Sequence, residues 1–151
     1  MNKILLLLCC ASLIQVSSRA QSSHDSIKTV IRTLFKGMIE ADGSAIRSVF
    51  ADSAVMQTIA VAKSGAIRVR NESVNDFAAF IASSKKGMAD ERIEFGSILV
   101  DDNLASVWTP YRFYYDGKFS HCGVNSFQLV RGGEGWKIQY LIDTRRKQPC
   151  D

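Results

Sequence analysis

At 151 residues, with 46% hydrophobic side chains, the chain is the right size for one domain with its own core. No internal repeat, low-complexity stretch or Pro/Gly linker divides it. Its 19 basic and 15 acidic residues give a net charge of +4, of which Lys3 and Arg19 in the first twenty residues supply two. The bias that remains is too weak to argue for a nucleic-acid or anionic-membrane partner.

Residues 1–20 read as a secretory signal peptide: Lys3 as a short positive region, an apolar run from Ile4 to Leu13, then Ser18-Arg19-Ala20 with small residues at the first and third positions before the cleavage position. The apolar run is too short for the roughly 20 residues that span a bilayer. Cys9 and Cys10 raise a lipoprotein alternative, but Leu8 stands before Cys9 where a small residue is expected. Residues 21–151 are then a single exported domain, periplasmic or secreted, with no membrane insertion of the mature chain.

From Asp25 to Ala41, apolar residues at Ile27, Val30, Ile31, Leu34, Phe35, Met38 and Ile39 follow the i, i+3, i+4 spacing of an amphipathic helix. Asp42-Gly43 breaks it, and a short second helix is expected over Ala45–Phe50. Residues 54–61 and 66–70 read as strands around a Lys63-Ser64-Gly65 turn. Ser73 with Asp76 forms a capping-box-like start to a helix over Val74–Ser83, with Phe77, Phe80 and Ile81 on one face. Four strands follow, at about 91–100, 104–115, 118–131 and 135–144, separated by Asp101-Asp102-Asn103, Asp116-Gly117 and Gly132-Gly133-Glu134-Gly135. Helices early and strands in series late predict an α+β fold with an antiparallel sheet.

Cys122 and Cys150 are the cysteines left once the leader is removed. Export favours a disulfide between them, worth on the order of 3 kcal/mol for the loop it closes. The alternative is a buried Cys122 and a free terminal thiol.

His121 is the first candidate for chemistry, because histidine titrates near neutral pH. Alternation puts His121, Gly123, Asn125, Phe127 and Leu129 on one strand face, and Gly123 leaves room for a ligand or another backbone. Asp143 and Arg145 end the last strand and could orient His121 or hold a ligand carboxylate. If Trp136, Ile138 and Tyr140 face inward, however, Asp143 and Arg145 face outward, unless a bulge or strand-end twist turns them. Met56, Tyr111 and Tyr140 complete the expected pocket, Tyr111 offering a ring and one hydroxyl to an apolar ligand. His24, His121 and the two cysteines have no zinc spacing, and no nucleophile elbow, P-loop or dinucleotide fingerprint is present, so neither metal nor cofactor is expected.

The run MIEADGSAIRSVFADSAVM, the third helix DFAAFIASS and the paired strands ending GWKI resemble the nuclear transport factor 2-like superfamily, over about residues 25–145. Within it, the exported SnoaL-like or lumazine-binding type is most similar. The resemblance implies a cone: a curved antiparallel sheet wrapped around a long N-terminal helix, with a ligand cavity between them. It does not imply one activity, since this fold hosts isomerases, dehydratases, cyclases and adaptors. Aligned through Phe50-Ala51-Asp52-Ser53-Ala54, the steroid isomerases' catalytic aspartate falls on Thr58 and their oxyanion-binding tyrosine on Leu34. Neither residue can do that work. Three readings stay open: a binding protein for a small apolar or mixed-polarity molecule; a lyase, isomerase or cyclase-type enzyme with His121 as acid–base, aided by Asp143; and an interaction module. A homodimer through the open sheet face is expected in each.

Overall fold

The computed structural model describes residues 23–62, 64–148 and 150. The expected signal peptide lies outside the described residues. Helix α1 spans residues 23–40. Its apolar stripe is buried at Ile27, Ile31, Leu34, Phe35 and Met38. Asp42 caps α2 (Gly43–Val49) by accepting from the Ala45 amide, and Ser73 caps α3 (Val74–Ser83) by accepting from the Asp76 amide. Among the described residues no helix is long and apolar enough to cross a membrane.

Seven strands form one sheet: β1 (Phe50–Val61), β2 (Ile67–Glu72), β3 (Ala89–Ile93), β4 (Ser97–Asp101), β5 (Leu104–Tyr115), β6 (Lys118–Gly132) and β7 (Gly135–Thr144). Their order is β2-β1-β7-β6-β5-β3, with β4 also pairing β5. This is the anticipated α+β cone, with two refinements. The sheet is mixed, because β7 runs parallel to β1 while every other named pair is antiparallel. The strand expected over 91–100 is two strands, β3 and β4, which hold opposite ends of β5 and break at Glu94–Gly96.

The β5–β6 hairpin turns through Asp116 (φ 50°) and Gly117 (φ 71°), the paired positive angles that match the twist of the flanking strands. The inner face of the sheet then falls into rows. Deepest are apolar rows: Phe50, Ile138, Leu129 and Ala105, then Met56, Leu141, Phe127 and Val107. These pack against α1, with Phe35 meeting Phe127 edge to face at 6.3 Å between ring centres.

Candidate functional site

The next row outward is polar. Thr58 on β1 pairs with Asp143 on β7, Asp143 with Asn125 on β6, and Asn125 with Thr109 on β5. Among the described residues these are the four buried polar side chains. Beyond them come Tyr111 opposite Gly123, then Glu91, Phe113 and His121 in register on β3, β5 and β6. A polar band thus crosses the concave face where the apolar packing ends.

A cavity of about 310 Å³ opens on this band. Glu91, His121, Asn125, Asp143 and Arg145 form its polar side. Leu34, Phe35 and Met38 from α1 and Phe77, Phe80 and Ile81 from α3 form apolar walls, with Phe80 56% exposed at the mouth. A second concavity, by Arg47, Asp52, Ser73 and Asn75, is slightly larger but holds no residue of the polar band. The first is therefore the candidate site.

Asp143 and Arg145 enter it because β7 carries a bulge. Gln128 pairs with Tyr140 but Leu129 with Ile138, so Gln139 is an extra residue. Trp136 and Ile138 face inward before it; Leu141 and Asp143 face inward after it. Tyr140 is turned off the cavity, and its hydroxyl donates to Gln57 Oε1 at 2.7 Å. Its expected place in the pocket is thereby corrected. Tyr111 lies behind the wall rather than on it, donating to Asp143 Oδ2 at 3.1 Å and to the Thr144 carbonyl at 2.9 Å.

Gly123 makes room for another backbone, not for a ligand. A Cβ there would stand 1.8 Å from the Thr144 carbonyl oxygen. Just beyond, Cys122 and Arg146 exchange backbone hydrogen bonds, and Cys122 and Cys150 lie at disulfide distance with their α-carbons 5.7 Å apart. The segment carrying Asp143 and Arg145 is therefore held from both sides.

Arg145 is committed within the protein. Its Nε donates to Asp143 Oδ2 at 2.8 Å and its guanidinium lies 3.6 Å from Glu72. Burial opposes its charge, but the bond to Asp143 and the neighbouring carboxylates outweigh this and raise its pKa. It does not stand open as a clamp for a ligand carboxylate. His121 lines the cavity between the rings of Phe113 and Tyr111, with Nδ1 at 3.1 Å from Ser120 Oγ. Burial, then the charge of Arg145, lower its pKa, so the neutral ring prevails at pH 7. Among the described residues no hydrogen bond joins His121 to Asp143, so the anticipated orienting pair is not made. Met56 and Asn125 both line the cavity.

Glu91 was missed by sequence reasoning. It sits on a short edge strand in a charged stretch, Asp90-Glu91-Arg92, with nothing local to mark it. Its Oε1 accepts from Asn125 Nδ2 at 2.8 Å. Burial, aided by the charge of Asp143, pushes its pKa up to about 7. Among the described residues no lysine or arginine lies in ion-pair range of it, and no group of three His, Cys, Asp or Glu side chains could hold a metal ion.

The chain belongs to the Putative lumazine-binding family, whose model matches residues 22–139, within the nuclear transport factor 2-like superfamily. No curated protein matches it. Among solved structures, it is similar to a nuclear transport factor 2-like protein with a cystatin-like fold from Novosphingobium aromaticivorans, at 12% identity and TM-score 0.67, over 90% of each chain. It also resembles a nuclear transport factor 2-like protein of unknown function from Shewanella baltica, at 13% identity and TM-score 0.65, over 84% of this chain and 96% of that one. A cystatin-like domain of unknown function from Nostoc punctiforme shares 18% identity at TM-score 0.65, over 84% of this chain and 79% of the other. At these identities the likeness speaks for the fold alone.

Proposed function

We propose that the protein is an exported small-molecule-binding protein that holds its ligand in the cone cavity. The observation that carries this reading is the meeting of apolar walls and a convergent polar band in one concave site. Its volume lies at the small end of the ~300–1,000 Å³ usual for ligand pockets. The family's name, which refers to binding of a small heterocycle, points the same way. Native mass spectrometry of protein purified from its exporting host tests it. A bound small molecule released on unfolding is expected; protein that stays bare after incubation with a metabolite extract contradicts it.

One observation favours a second reading, an acid–base enzyme of lyase, isomerase or cyclase type. Glu91, with a pKa of about 7, has the value a general acid or base needs at neutral pH, and it lines the cavity beside His121. On that reading Glu91→Gln reduces turnover on the order of 100-fold or more while the ligand still binds.

The homodimer belongs to the same proposal. Leu99, Leu104, Trp108 and Val130 are exposed on the outer face of β4, β5 and β6, where a second copy could cover them.

A further inference from the structure

We infer that the cavity is built for an organic cation: a protonated or quaternary nitrogen carried on an apolar body. The inference rests on the cavity being the ligand site and names the class of ligand it takes. Three independent features agree.

The first is a carboxyl group left without a cationic partner. Glu91 faces the cavity with one amide hydrogen bond, from Asn125, and no ion pair among the described residues. A carboxylate in an apolar surround is stabilised by an opposite charge brought to it. The second is the balance of charge around the site. Glu72, Glu91 and Asp143 line it, against Arg145 as the sole lysine or arginine lining it among the described residues. Arg145 already binds Asp143 and Glu72. A ligand acid would therefore meet carboxylates, with no free cation to receive it. The third is the ring content. Phe77, Phe80, Phe113 and Tyr115 line the same cavity. Aromatic faces beside a carboxylate attract cations in a desolvated site and give an anion nothing in return.

The groups that face Glu91 set the pH behaviour. They are Asn125 and His121 on β6, Tyr115 on β5, Asp143 on β7, Arg145 beyond it and Glu72 at the end of β2, with Tyr111 of β5 behind the wall and close enough for its titration to feel Glu91, while α1 and α3 contribute only apolar walls. Acidification through pH 7 protonates Glu91, and further acidification charges His121, whose pKa lies below the usual value. Both changes disfavour a cation.

Three probes of one shape and different charge provide the test: phenylbutylamine, phenylbutanol and phenylbutyrate, titrated into the full exported protein and followed by two-dimensional NMR. The amine is expected to shift cavity resonances and to bind about tenfold or more tightly than the acid. Its affinity should fall between about pH 8 and about pH 5.5, while that of the alcohol stays level. Glu91→Gln should remove this preference. Should that variant not fold, Phe113→Leu serves instead, weakening the amine and sparing the alcohol. Equal or tighter binding of the alcohol or the acid overturns the cation inference and leaves the cavity as a ligand site. Failure of all three probes to touch the cavity overturns both.

Discussion

Asn125 donates its side-chain amide to Glu91 at 2.8 Å, joining β6 to the edge strand β3 across the cavity wall. The bond leaves a half-buried carboxyl group with a neutral partner, and desolvation raises its pKa from 4.5 to about 7. The consequence for stability has a definite sign. Below pH 4.5 the group is protonated in both folded and unfolded chains, and nothing is lost. Between pH 4.5 and 7 the unfolded chain releases its proton first, so stability falls as pH rises. The full loss is on the order of 3 kcal/mol. Glu91→Gln should abolish this part of the pH dependence and be the more stable protein at pH 8. Urea unfolding of both proteins across this range checks it; parallel curves for the two would sink the assignment.

Gly123→Ala should be costly although it adds one methyl group. That methyl would overlap the Thr144 carbonyl, which also accepts from Tyr111. Relief requires the end of β7 to move, carrying Asp143 and Arg145 with it. Overpacking of this kind costs about 1–3 kcal/mol or more. Denaturant midpoints measure the cost, and unchanged stability would show that the close approach is not present.

The Cys122–Cys150 pair should be bonded in protein produced in an oxidising compartment. Intact mass should rise by about 2 Da per chain on reduction under denaturing conditions. Cys150→Ser should lower stability by about 3 kcal/mol. Free alkylation of both thiols without reductant would end the idea.

Sedimentation at tens of micromolar should show a dimer. Trp108→Glu, on the outer face and remote from the cavity, should shift it to monomer by burying an unpaired charge at the contact. A wild-type chain that sediments as a monomer throughout contradicts the proposed assembly.

Much of the fold was legible because it rests on local patterns. The α1 stripe from Ile27 to Met38, the Ser73 cap and the Asp116-Gly117 turn are each written within a few residues. The Val74–Ser83 helix has the expected bounds. The site was less legible because it depends on register between distant strands. The extra residue Gln139 reverses the alternation of β7, bringing Asp143 in and sending Tyr140 out, and no turn residue marks it. Glu91 becomes important through Asn125, 34 positions away, and its neighbours Asp90 and Arg92 pair with each other. His121 stood out as a residue type, yet its surroundings hold it neutral and away from Asp143's hydrogen bonds.

Whether the cone cavity holds the ligand is settled by a crystal structure of the protein grown with the small molecule that copurifies with it. Density is expected between α3 and the polar band, within hydrogen-bond distance of Glu91 or Asn125 and against Phe77 and Phe113. Density confined to the outer face of the sheet, or to the concavity beside Arg47 and Asp52, with the cone empty, would contradict it.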